Sequence, residues 1–169
     1  PMGTTLAKAT EDSLSRLYGA LMSDVPVGLV PSDGVVLNPG EATGKVMGGN
    51  LTMLCHLVGT PYQPVFDGCI LFIEDVTEAP YRIDRMLVQM DLAGCFESVA
   101  GLVLGQFQNC GATAEIHDVF MQTFGPLGIP VVAGFPIGHG EENATLPIGI
   151  DARLTTRPPR MTYLEAGTI

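Results

Sequence analysis

The sequence predicts an α/β domain with a largely parallel central sheet. Three apolar runs are typical of strands buried on both faces: "CILFIED" (69–75), "AGLVLGQF" (100–107) and "IPVVAGF" (129–135). Segments of helical length and pattern separate these runs, and apolar strands that alternate with helices are typical of βαβ units. With 169 residues, 46% of them apolar, the chain is long enough for one domain with a substantial core.

The first part of the chain predicts a helix, a short strand and a strand–turn–helix unit. Leucines at helical spacing indicate a helix over residues 6–22, and "GVVLNPG" (34–40) indicates a strand that ends in a Pro-Gly turn. The segment "GKVMGGNLTMLCHLVGTP" (44–61) predicts a strand, a double-glycine turn and a short helix. Asn50 is a candidate N-cap of that helix, and Gly59 is a candidate stop.

The second part predicts two longer helices and a last strand. Residues 77–94 form a helical pattern in which Thr77 is a candidate cap and Pro80 fits the first turn. Its expected buried face is Ile83, Met86, Leu87 and Met90, and that of a helix over 113–125 is Ile116, Val119, Phe120 and Phe124. The last strand, "LPIGIDARLTT" (146–156), reads as half-exposed, like residues 34–40, so we expect a second, mixed layer.

Charge and cysteine content exclude several classes of partner. The net charge is −10 and the eight Lys and Arg residues form no cluster, so we expect no nucleic-acid partner and no anionic membrane surface. No run of about 20 apolar residues predicts a membrane span, and the start of the chain shows no signal-peptide pattern. The four cysteines, Cys55, Cys69, Cys95 and Cys110, form no C-x-x-C pair, which favours a reducing, cytoplasmic compartment.

Polar side chains follow two of the apolar runs at the point where each run ends. Glu74 and Asp75 end one run, and His139 lies between two glycines a few residues after another. Because ligands of parallel sheets bind beyond the carboxyl ends of the strands, a carboxylate and an imidazole would meet there if the strands are neighbours. Hydrolases use such a pair to orient a general base. The alternative is that Glu74 caps a helix and His139 is a solvated loop residue.

A complete catalytic set is not encoded in these residues. No G-x-S-x-G elbow surrounds any of the serines, which are Ser13, Ser15, Ser23, Ser32 and Ser98, and the cysteines lie in or beside apolar elements. In "GGN" (48–50), Gly49 and Asn50 are candidates for binding a substrate carboxylate, although a tight turn explains the glycines equally well. The spacing of "HGEEN" (139–143) matches no zinc motif, so we expect no metal and no cofactor.

Several of these motifs occur together in one known family. Residues 44–94, "GLVLGQF" (101–107) and "PVVAGFPIGHGEENATLPIG" (130–149), in that order, resemble the C-terminal domain of the LD-carboxypeptidases, which are serine peptidases. The resemblance runs from about residue 36 to residue 155. It implies a three-layer, swivelling β/β/α domain in which Glu74 and His139 complete a triad whose serine lies on a separate N-terminal domain. It also implies release of terminal D-alanine from the murein tetrapeptide without a metal, and a homodimer.

The resemblance predicts a domain division. Residues 1–30 would be the remnant of an inter-domain helix and linker, and residues 31–169 the C-terminal domain. Without the serine domain we expect the chain to fold but to be inactive alone. Two alternatives remain open, namely a hydrolase domain of the microcin C immunity type and a non-catalytic module for peptide binding or dimerisation.

Overall fold

A computed structural model describes residues 9–26 and 28–167. Within those residues there are four α-helices, one short 3₁₀ turn (Gly125–Leu127) and eight strands. The helices are α1 (Glu11–Met22), α2 (Leu51–Leu57), α3 (Pro80–Leu92) and α4 (Thr113–Phe124). The strands are β1 (Gly28–Leu29), β2 (Val35–Asn38), β3 (Glu41–Asn50), β4 (Ile70–Val76), β5 (Gly101–Gln108), β6 (Val131–Ala133), β7 (Asp151–Thr156) and β8 (Pro159–Tyr163).

The described strands form one sheet in the order β1-β8-β7-β3-β4-β5-β6-β2. The central strands β3, β4, β5 and β6 are parallel, and β2 closes one edge in the antiparallel sense. The strand β3 belongs to two ladders, since its first half pairs with the antiparallel β7 and its second half pairs with the parallel β4. The predicted α/β class with a largely parallel central sheet is therefore confirmed.

Two separate cores account for three layers. Along β4, Leu71 and Ile73 pack into the core shared with α2, α3 and α4. Ile70 and Phe72 point the other way, because side chains alternate along a strand, and they pack against the antiparallel strands β7 and β8. The layers are thus antiparallel strands, parallel strands and helices, as the β/β/α resemblance implies.

Most predicted elements are present, with the buried faces that periodicity indicates. In α3 the fully buried side chains are Ile83, Leu87 and Met90, and in α4 they are Ile116, Phe120 and Phe124. Met86 and Val119 are partly buried against the same core. The helix predicted over 6–22 begins at Glu11 after the N-cap Thr10, and residues 6–8 lie outside the described part of the chain.

Two local predictions were wrong. Thr77 does not cap α3: Ala79 precedes the helix, and the Thr77 hydroxyl donates to the carbonyl of Val76 at 2.7 Å in a left-handed backbone conformation. Gly48 and Gly49 form no turn, because they continue β3 opposite Phe72 and Ile73. A Cβ on Gly48 would lie 1.9 Å from the Phe72 carbonyl oxygen, so this glycine permits the two strands to approach closely.

Candidate active site

Glu74 and Asp75 are neighbours in β4 that face opposite layers. Both are buried, and β4 continues one residue further, to Val76. Asp75 lies on the helix side, and Glu74 lies on the side of the antiparallel strands. The ladder with β5 shifts register here, so that Gly105 and Gln106 together stand opposite Glu74. A bulge of this kind commonly re-aims a side chain next to a functional site.

The structure brings Glu74 and His139 together. His139 lies in the loop between β6 and β7, and its Nδ1 is 2.8 Å from Oε2 of Glu74. The glutamate side chain is 8% exposed and the imidazole 29% exposed. With the ring hydrogen on Nδ1, the imidazole donates to the carboxylate, and among the described residues Nε2 has no hydrogen-bond partner. The expected contact is present although β4 and β6 are not neighbours, since β5 lies between them. Glu74 caps no helix among the described residues, so that alternative is wrong.

Glycines flank this contact because nothing larger fits. Gly138 has φ +134°, and a Cβ on it would lie 2.7 Å from Oε2 of Glu74. A Cβ on Gly105 would lie 2.5 Å from the carbonyl oxygen of Ile137 and 3.1 Å from Cβ of Glu74. The glycine before His139 therefore lets the loop backbone pass directly over the buried carboxylate.

Asp75 fixes the start of α2. Its carboxylate accepts hydrogen bonds from the backbone and hydroxyl of Thr52, from the side-chain amide of Asn50 and from the backbone of Val76, at 2.8–2.9 Å. Asn50 is the N-cap of α2, as predicted, and its Oδ1 accepts from the backbone of Met53. The backbone donors of Thr52 and Met53 are thus occupied by the chain's own oxygens. Asn50 lies opposite Glu74 in the ladder between β3 and β4. The substrate-binding role of Gly49 and Asn50 stays a prediction.

A groove of about 730 Å³ lies beside the His139 loop. Its lining includes Gln106, His117, Phe135, Glu141 and Glu142, but neither Glu74 nor His139. Burial lowers the pKa of His117 below its ordinary value, with a smaller opposing effect of Asp118. The groove therefore adjoins the glutamate–histidine pair without containing it.

No activated nucleophile accompanies the pair in the described part of the chain. The hydroxyl of Ser32 donates to Glu142, and that of Ser13 accepts from the backbone of Asn143. Burial raises the pKa of all four thiols, that of Cys69 to about 12, so none is a ready thiolate at neutral pH. Residues 9–26 and 28–167 contain no group of three or more metal-ligating side chains, and none of their helices is long and apolar enough to cross a membrane.

A family model, a curated relative and a solved structure that match this chain all carry carboxypeptidase names. Residues 43–154 match the model of the LD-carboxypeptidase C-terminal domain family. A Synechocystis protein that carries a carboxypeptidase name is 43% identical over 97% of this chain and 55% of its own length. Among solved structures, the muramoyltetrapeptide carboxypeptidase from Oxalobacter formigenes has a TM-score of 0.74 at 34% identity, over 91% of this chain and 54% of that one.

A second solved structure with a different name is also similar to this chain. The MccF-like protein from Bacillus anthracis has a TM-score of 0.83 at 26% identity, over 94% of this chain and 57% of that one. The chain thus spans about half the length of the relatives that it matches.

Proposed function

The chain belongs to the LD-carboxypeptidase C-terminal domain family, and from this premise we propose that it supplies the glutamate and the histidine of a serine–glutamate–histidine triad. The observation that carries the proposal is the 2.8 Å contact between Nδ1 of His139 and the buried carboxylate of Glu74. That contact fixes the tautomer, and it leaves Nε2 as the basic atom.

Each residue has a defined role in this proposal. Nε2 of His139 removes the proton of a serine hydroxyl as the oxygen attacks the scissile carbonyl, and later gives that proton to the leaving amine. Glu74 accepts the Nδ1 hydrogen and stabilises the imidazolium that forms between the two steps. The serine comes from sequence outside these 169 residues, on a separate nucleophile domain, so that the chain is inactive alone. No metal takes part.

The proposed reaction is the release of terminal D-alanine from the murein tetrapeptide in the cytoplasm, by a homodimer. Residues 1–30 then form the connection to the nucleophile domain, and residues 31–169 the C-terminal domain. The name of the Oxalobacter relative supports this substrate class. A second candidate is hydrolysis of an aminoacyl nucleotide, supported by the similarity to the MccF-like protein and to the microcin C7 self-immunity protein MccF, which is solved in complex with aspartyl sulfamoyl adenosine.

The test compares this chain with a longer protein in which the nucleophile domain precedes it. Each is incubated separately with murein tetrapeptide and with an aminoacyl sulfamoyl nucleoside, and the amino acid released from each substrate is measured. We expect turnover from the longer protein only. Its E74Q and H139A variants should lose kcat by about a thousandfold or more, because histidine tautomer and proton transfer both fail.

The control is H56A, which changes an exposed histidine whose Nδ1 contacts only the Thr52 carbonyl of its own helix. This variant should keep full activity. Release of D-alanine by the 169-residue chain at the rate of the longer protein would contradict the proposal that the nucleophilic serine lies outside this chain. Release of the amino acid from the sulfamoyl nucleoside by the longer protein, without release of D-alanine from the tetrapeptide, would favour the second candidate.

A further inference from the structure

The part of the loop that carries His139 makes few hydrogen bonds within the loop itself. Residues 134–150, between β6 and β7, contain no helix or strand. Three hydrogen bonds lie within the loop: the backbone of Ile137 donates to the Phe135 carbonyl, that of Gly138 to Oδ1 of Asn143, and that of Ala144 to the Pro136 carbonyl. None of them involves residues 139–142, so the position of that segment and of the imidazole depends on groups that reach it from elsewhere in the fold.

Gln106 of β5 reaches the loop on both sides of His139. Its Oε1 accepts from the backbone of Gly140 at 2.8 Å, and its Nε2 donates to the carbonyl of Glu142 at 3.3 Å. Its own backbone donates to the carbonyl of Ile137 at 2.8 Å. Three hydrogen bonds from one half-buried residue thus hold the segment that runs from two residues before His139 to three residues after it.

The fit around the carboxamide is close. A Cβ on Gly140 would lie 2.0 Å from Oε1 of Gln106 and 2.6 Å from its Nε2, so that only glycine leaves room for this side chain. Gln106 is also one of the two residues that stand opposite Glu74 at the bulge. The bulge in β5 therefore contacts both the strand that carries Glu74 and the loop that carries His139.

We propose that Gln106 is a positioning residue for His139, an inference that rests on the proposed function. Gln106 makes no hydrogen bond to His139 or Glu74, so it acts through the backbone of Gly140 and Glu142. By holding that backbone, it keeps Nδ1 within reach of Glu74 and aims Nε2 at the place where the serine hydroxyl arrives. A shift of about 1 Å in such a group commonly costs about a hundredfold in rate.

The experiment uses Q106M, which has similar length but neither donor nor acceptor, and Q106E, which keeps the acceptor for Gly140. The matched control is Q108M, on the same strand two residues later and exposed to solvent. In the longer protein, Q106M should lower kcat by about 10- to 100-fold with KM changed less than about twofold, because the proposed role is to hold the backbone that carries His139 rather than to contact substrate. Q106E should recover at least half of the decrease in log kcat that Q106M causes. Q108M should have the kcat of the wild type.

A second measurement is independent of turnover. In the 169-residue chain, the hydrogen-bonded Nδ1 proton of His139 gives a low-field NMR resonance, which Q106M should weaken and Q108M should keep. If Q106M does not fold, G140A displaces the carboxamide from the other side and should have the same two effects. Gly140 has no positive φ, so the added methyl tests contact rather than backbone strain.

The outcomes separate the two proposals. If E74Q and H139A keep their activity, the proposed function fails whatever Gln106 does. If those variants are inactive but Q106M equals Q108M in kcat and in the Nδ1 resonance, the positioning role is wrong. An equal loss in Q106E and Q106M would also overturn it, because the bond to Gly140 would then not matter.

Discussion

Substituting Gly138 with alanine tests whether the contact between Glu74 and His139 depends on a glycine at this position. The new Cβ would lie 2.7 Å from Oε2 of Glu74, so the carboxylate has to withdraw by about 0.7 Å to reach an ordinary 3.4 Å contact. If the carboxylate takes up the whole displacement, its 2.8 Å bond to Nδ1 lengthens to about 3.5 Å, where little hydrogen bonding remains.

Two contributions give the expected magnitude for G138A. An L-residue at φ +134° carries strain of about 1–3 kcal/mol, and a lost hydrogen bond to a charged group costs about 1.5–3 kcal/mol. We therefore expect the free energy of unfolding to fall by about 2.5–6 kcal/mol. The control is G149A, because Gly149 also has positive φ, +80°, but a Cβ there meets nothing within 4 Å.

Urea unfolding of the 169-residue chain measures both variants, and the Nδ1 proton resonance of His139 reports the contact itself. G149A should lose about 1–2 kcal/mol, which is the cost of the backbone conformation alone, and should keep the resonance. If G138A destabilised the chain no more than G149A and kept the resonance, the close approach of Gly138 to Glu74 would not be what holds the pair in place.

Three further predictions concern the residues around the site. D75A should lower the free energy of unfolding by about 2–4 kcal/mol in urea, because it removes a buried carboxylate and leaves the donors of the half-buried Asn50, Thr52 and Val76 without their acceptor. D67A, at an exposed carboxylate, should change it little, and equal losses would contradict the role of Asp75 at α2. Burial lowers the pKa of His117 from 6.5, so the folded state binds fewer protons than the unfolded chain and stability should fall as pH drops through about 6.5. H117N should flatten that slope in unfolding curves at several pH values, and an unchanged slope would refute the assignment. With its pKa raised to about 12, buried Cys69 should react with a thiol reagent only on unfolding, whereas half-buried Cys95 should react first in the native state. Mass spectrometry of the labelled peptides checks this order, and early labelling of Cys69 would contradict it.

Local pattern was sufficient for α3, α4 and β4. The apolar faces of the two helices repeat at helical spacing, and a short unbroken apolar run is typical of a strand buried on both faces. The strands β1 and β8 were not predicted, since a two-residue strand and a short strand that begins at Pro159 have too few alternating residues to show a period. The glycines of β3 looked like a turn because sequence does not reveal that the Phe72 carbonyl passes beside them.

For the candidate site, the sequence determined the residue types and placed them at strand ends. It therefore suggested that Glu74 and His139 meet, although 65 positions separate them. The strand-end pattern alone did not distinguish the two adjacent acids; the resemblance implied Glu74, and the tertiary structure gives the physical reason. Alternation along β4 turns Asp75 towards α2 and Glu74 towards the loop, and the bulge in β5 then brings Gln106 beneath that loop. Register and strand order are properties of the assembled sheet, and no local spacing in the chain encodes them.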